Sequence, residues 1–231
     1  SNVAIGYNAG DNISSGSYNV AIGVQALEAV STQSSNVAVG RLALNAYTGS
    51  NATAVGGQAG YNATGNELTL FGERAGSGGP LTGQYNVGLG PFTLYSTTSG
   101  ASNTAVGKNA LYYNTTGGAN TAVGGYWDST TKAALEQNSS GYYNVAVGSG
   151  ALWKNTTANH STAVGYKTAE DNTTGHVTAV GAYALGNNTT GTSNVAVGGY
   201  DNSDVAALRA NTTGSKNTAV GVAALGNSDA S

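Results

Sequence analysis

A short β-branched run that closes on glycine recurs along the entire chain, and this recurrence limits the fold more than any other feature of the sequence. The closing glycines are Gly6, Gly23, Gly40, Gly56, Gly72, Gly90, Gly107, Gly124, Gly148, Gly165, Gly181, Gly198 and Gly221. Their separations are 17, 17, 16, 16, 18, 17, 17, 24, 17, 16, 17 and 23 residues, a period near 17 with two long exceptions. Self-similarity at one fixed period marks a solenoid, in which each repeat contacts mainly its neighbours.

Aligning the copies on that glycine turns the sequence into columns. The residue before the glycine is apolar throughout, and the residue two places earlier is Val or Thr, as in Val3, Val20, Thr53 and Thr104. β-Branched side chains at alternate positions suit a pleated strand. Ile5, Ile22, Val39, Val106, Val123, Val147, Val197 and Val220 are therefore expected to stack as a core column. Between the two columns stands Ala in eleven of thirteen copies, with Leu70 and Gly88 as the exceptions. So small a residue predicts close packing on that face, with a neighbouring chain as the candidate for what packs there. Past the glycine comes Ala or Thr, then commonly Leu, including Leu111, Leu152 and Leu185. This predicts a second, shorter strand contributing to the same core. The expected fold is all-β: a parallel β-solenoid, or β-roll, of coils of about 17 residues. At a strand spacing of roughly 4.8 Å, thirteen coils make a rod about 60 Å long.

Residues 1–231 then form a single repeat domain of thirteen coils, and because the chain opens and closes inside the repeat we expect a segment of a longer fibre. Only 8% of the residues are charged and the net charge is −3, which argues against nucleic acid as a partner. No apolar run approaches the roughly 20 residues of a membrane span, so insertion of this segment into a bilayer is not expected. The chain has no cysteine, which removes disulfides and thiolate metal sites. Coils this thin enclose little apolar volume, so burial of a second face between chains is expected to offset the ordering entropy.

Two insertions account for the long repeats, at 125–136 and 199–209. Each places Asp and Ser ahead of an Ala-Ala-Leu run, which predicts an N-cap and one or two helical turns. They carry Tyr126, Trp127, Asp128, Tyr200 and Asp201. With Tyr112 and Trp153 from the regular repeats, these residues are the candidate ligand-binding set, since aromatic rings beside amides and hydroxyls can stack on sugar rings. The same aromatics could instead cover turn backbone and neighbouring chains. Asn-Thr-Thr-Gly at Asn114, Asn172, Asn188 and Asn211, with relatives at Asn62, Asn138 and Asn155, matches the N-glycosylation pattern, but Asn, Thr and Gly are also what a tight corner requires. The Asn that opens each repeat is expected to build a ladder of stacked amides. His160 and His176 sit in no catalytic spacing, the carboxylates recur in no pair, and the Asp201–Asp204 stretch lacks the closing Glu of a calcium loop. No catalysis, metal or cofactor is expected.

The blocks Asn2–Gly6, Asn19–Gly23 and Asn144–Gly148 resemble the head repeat of YadA-like trimeric autotransporter adhesins, and repeats with Asn-Thr-Thr-Gly corners resemble those of bacteriophage tail fibres. The resemblance covers essentially the whole chain. It implies a left-handed β-roll assembled as a parallel homotrimer, other parts of the same fibre as neighbours, and a cell-surface glycan or protein receptor as ligand. A tail fibre implies location in the virion. The adhesin alternative implies an extracellular location on the bacterial surface. A period near 17 is longer than that of the adhesin head.

Overall fold

A computed structural model describes residues 1–126, 132–200 and 205–227. The chain divides into two compact units, Ser1–Thr116 and Gly117–Ser231. The first holds β1 (Val3–Ile5), β2 (Val20–Ile22), β3 (Val37–Val39), β4 (Thr53–Val55), β5 (Thr69–Phe71), β6 (Val87–Leu89) and β7 (Thr104–Val106). The second holds β8 (Thr121–Val123), β9 (Val145–Val147), β10 (Thr162–Val164), β11 (Val177–Val180), β12 (Asn194–Val197) and β13 (Thr218–Val220). Within each unit the strands pair in parallel and in sequence order, column on column: Val20 opposite Val37, Ala21 opposite Ala38, Ile22 opposite Val39. Each unit is thus a parallel β-solenoid of coils of about 17 residues. No helix occurs among the described residues.

The inward column is alanine. Ala21, Ala38, Ala54, Ala105, Ala122, Ala146, Ala163, Ala179 and Ala196 are fully buried, as are Leu27, Leu44, Leu94, Leu111, Leu135, Leu152, Leu185 and Leu208. The residues expected as core point the other way. Ile5 and Val220 are 59% and 70% exposed, Val197 is exposed, and Ile22, Val39, Val106, Val123 and Val147 are half-buried. The reason is the pleat: residues i and i+2 share one face, so one small column inside puts both β-branched columns outside. Ala is small because the chain's own leucines lie in the same thin interior, not because another chain presses on it. Leu70 and Gly88 follow the same rule. Where Leu70 replaces Ala, the leucine column falls to Gly60 and Gly76, and a Cβ at either would meet Leu70 Cδ1 at 3.1 Å. A Cβ at Gly88 would lie 2.6 Å from Thr93 Oγ1 and 3.3 Å from Leu70 Cδ2.

The Ala-Leu segment is a turn and not a second strand. Leu44, Leu111 and Leu152 have φ of 47°, 54° and 50°, left-handed values that cost a side-chain-bearing residue roughly 1–2 kcal/mol. Burial of the leucine, about 1.5–3 kcal/mol, offsets that cost. The same flip turns successive N–H groups to opposite neighbours: Gln25 N donates to Tyr7 O at 2.8 Å in one adjacent coil, and Leu27 N to Ala43 O at 3.1 Å in the other. The insertions rejoin this turn and form no helix in their described part. In a regular coil Ala26 N donates to Gly23 O, and Ala134 N donates to Gly124 O and Ala207 N to Gly198 O in the same way. The Ala-Ala-Leu runs are therefore the buried turn itself, with Leu135 and Leu208 at φ 50° and 49°. In the sequence the extra residues fall between the glycine and that turn.

Amide ladders close the corners. The opening asparagines are buried from Asn19 to Asn194, and their side-chain oxygens accept from the next coil: Asn36 N donates to Asn19 Oδ1 at 3.0 Å, Asn103 N to Asn86 Oδ1 at 2.9 Å, and Asn217 N to Asn194 Oδ1 at 2.9 Å. A second ladder runs through the Asn-Thr-Thr-Gly corners of the second unit. Asn155 Nδ2 donates to Asn138 Oδ1 at 2.7 Å, Asn188 Nδ2 to Asn172 Oδ1 at 2.8 Å and Asn211 Nδ2 to Asn188 Oδ1 at 2.8 Å. In the first unit the equivalent positions include Val30, Tyr47, Ala63 and Leu81, all buried, so most of that corner is apolar. There Tyr47 Oη donates to Gly65 O at 2.8 Å.

Asn188→Ala is expected to remove the donor to Asn172 Oδ1 and to the Gly191 carbonyl and one of the two acceptors of the Asn211 amide, and to lower the stability of the second unit by roughly 2–4 kcal/mol, measured by denaturant unfolding. Tyr47 gives a pH signature. Burial raises its phenol pKa well above the ordinary value, so its contribution is whole below about pH 10, the unfolded pKa, and is lost as pH rises beyond it. Tyr47→Phe is expected to cost about 1 kcal/mol at neutral pH and to flatten the loss of stability above pH 10, read from melts between pH 7 and 12.

Candidate aromatic and cationic face

The turn that follows each closing glycine sets its first, second and fifth residues on one side of the coil. In the second unit that side gathers aromatic rings and most of the charge. Tyr166, Tyr183 and Tyr200 follow β10, β11 and β12 at intervals of 17 residues. Tyr166 and Tyr183 meet edge to face at 5.4 Å, and Tyr183 and Tyr200 at 5.6 Å. Tyr166 and Tyr200 are exposed. The Arg209 guanidinium lies 4.9 Å from the Tyr183 centroid and 5.8 Å from that of Tyr200.

Trp153 follows β9, five residues past Gly148, one coil before Tyr166. Lys132 Nζ and Lys154 Nζ approach its ring to 5.5 and 5.2 Å, within cation–π range. Its indole Nε1 is buried and has no acceptor among the described residues. Opposite charges meet coil to coil, with Lys154 Nζ 2.6 Å from Asp171 Oδ1. Lys167 Nζ lies 3.3 Å from Glu170 Oε1. Burial works to lower the Lys167 pKa, but the Glu170 carboxylate outweighs it and the net direction is upward. The Tyr166 phenol is also raised, first by burial and then by Tyr183.

The residues expected to bind ligand fall into three groups. Trp153 and Tyr200 lie on this face. Tyr112 belongs to the first unit, stacked on Tyr95 at 4.9 Å and 18° and meeting Tyr113 edge-on at 4.6 Å. Tyr126 is half-buried just past Gly124, while Trp127, Asp128 and Asp201 lie outside the described residues. The face also recruits Tyr166, Tyr183, Lys132, Lys154, Lys167 and Arg209. Tyr183 and Tyr200 each stand two residues past their closing glycines, which is the sequence signal for that pair, while Tyr166 stands one past Gly165 and reaches Tyr183 from the neighbouring column. The two histidines form a separate stack, His160 on Tyr143 at 5.2 Å and His176 beyond it at 6.2 Å. Among the described residues no group of three or more His, Asp or Glu could hold a metal ion. No family model, curated protein or solved structure matches the chain.

The sequons separate by burial. Asn114, Asn138, Asn155, Asn172, Asn188 and Asn211 are fully buried, whereas Asn62 is exposed. An Nδ2 that donates inside a ladder cannot carry a glycan in the folded chain. When the chain passes through a glycosylating secretory pathway, mass spectrometry of the protease-resistant fraction is expected to find glycan only at exposed acceptor sites such as Asn12, Asn51, Asn62 and Asn187, and none at the six buried positions.

Proposed function

We propose that this chain is a structural segment of a bacteriophage tail fibre, part of the virion, in which three copies associate and which contributes, without catalysis, to recognition of a host-surface receptor, chiefly a glycan. The observation that carries the reading is the outward face of the sheet. Its two columns hold Val, Thr, Ile, Leu and Phe and no charged residue in any coil. Val3, Phe71, Leu89, Val145, Val164 and Val180 lie there with more than a third of their surface in water. Sheets that face solvent usually alternate polar residues outward, and a long uncharged stripe marks an association surface. A repetitive stripe is best covered by the same stripe on another copy, because register then matches at every coil. The aromatic and cationic face lies on the turn side of the coil and stays free for a ligand in such an assembly.

The Asn-Val-Ala-Ile/Val-Gly blocks favour a second reading, the head of a trimeric bacterial adhesin that binds host or matrix ligands. Both readings share the trimer and the absence of chemistry.

Sedimentation equilibrium is expected to return three times the chain mass of 22.8 kDa. Val145→Lys with Val147→Lys, on the outward face of β9, is expected to leave the far-ultraviolet spectrum unchanged and to shift the assembly towards single chains. A wild-type chain that sediments as a monomer at micromolar concentration overturns the assembly. Binding of the labelled fibre segment to bacterial cells, lost after enzymatic removal of their surface glycans, tests the receptor role.

A further inference from the structure

We propose that Tyr166, Tyr183 and Tyr200 form the binding row for one linear acidic glycan, which lies along the direction in which the coils stack, at about one sugar ring per coil. This rests on the receptor-binding reading above and specifies its ligand.

The first argument is register. The three tyrosines come from three successive coils, those of β10, β11 and β12, and successive coils are roughly 4.8 Å apart. That step is about the advance of one pyranose residue in an extended polysaccharide. A glycan laid along the row therefore meets an aromatic surface at each sugar without either chain bending to restore register. A glycan laid across the row meets one ring and then leaves the face.

The second argument is charge. Lys154 and Lys167 are balanced by Asp171 and Glu170. Glu136 is engaged locally, accepting from Ala133 N at 3.0 Å. Among the described residues Lys132 and Arg209 have no ion pair. Arg209 stands on the row itself, over Tyr183 and Tyr200, whereas Lys132 stands apart over Trp153. A carboxylate or sulfate group on the glycan complements Arg209, whose guanidinium can hold such a group through two parallel N–H donors while it stays on the tyrosine rings. The Arg209 side chain is the specificity element, and the rings supply the length dependence.

The test is calorimetric titration of the assembled chain with defined oligosaccharides of two, four and six sugars. The arms are oligogalacturonate as a bacterial-type polyuronate, hyaluronan fragments as a matrix glycan, and cello-oligosaccharides as the neutral control. An acidic tetramer is expected to bind about tenfold tighter than the dimer, with little gained by the hexamer, and the neutral tetramer to bind about tenfold more weakly. Tyr166→Ala with Tyr183→Ala is expected to lower the acidic tetramer's affinity at least about tenfold at an unchanged melting temperature. Arg209→Gln, which keeps most of the side chain, is expected to abolish the preference for acid over neutral. This single variant decides the matter if the double variant fails to fold. Failure of every acidic probe to bind, absence of length dependence, or an unchanged acid preference in Arg209→Gln overturns the proposal. If the segment still adsorbs to cells in those cases, the glycan row falls and the receptor role stands. If it adsorbs to neither cells nor glycans, both fall.

Discussion

Each residue in these units has, as its nearest neighbour, the same column of the adjacent coil, one strand spacing away. The closing glycines show how strict this contact is. At Gly23, φ is 131° and a Cβ would lie 2.6 Å from Gly40 O, and at Gly40, φ is 135° and a Cβ would lie 2.5 Å from Gly56 O. Both the dihedral and the carbonyl of the next coil exclude a side chain. Parallel pairing then fixes what each column can contain, because whatever stands in a column must tolerate a copy of itself.

Asparagine satisfies that condition in the buried corners because its amide both donates and accepts, so a rung can bond up and down. A charged residue does not, and the charged positions obey the complementary rule: Lys154 lies over Asp171 in the next coil, not over another lysine. Alanine and leucine satisfy it by volume. Where one column grows, its neighbour shrinks, as Leu70 against Gly60 and Gly76 shows. The left-handed leucines fit the same account. Their backbone strain persists because each N–H it redirects finds a carbonyl in an adjacent coil and each side chain it turns inward is buried.

The proposed function would use the positions this constraint leaves free. The outward β-branched columns and the residues just past the glycine face away from the alanine–leucine interior, so they can vary without disturbing it. The first are uniform and uncharged, as an association surface between copies requires. The second differ from coil to coil in ring type and charge, as a recognition surface requires. After each insertion the described turn closes as usual, with Ala134 N donating to Gly124 O and Ala207 N to Gly198 O.

The period, the positions of the strands, the glycine column and the asparagine corners were all legible in the order of residues, because each depends on local geometry repeated at fixed spacing. The Tyr183 and Tyr200 pair was legible too, since both stand two residues past their closing glycines, whereas Tyr166 stands one past Gly165 and meets Tyr183 only through packing. The direction in which the columns face was not, and it emerged from packing. Val39 and Ala38 both suit a strand, and composition favours valine inside, but the thin interior already holds leucine and has room only for a methyl group. Packing also made Ala-Leu a turn. Left-handed leucine is unfavourable in isolation and becomes acceptable only when neighbouring coils supply both the hydrogen bonds and the burial.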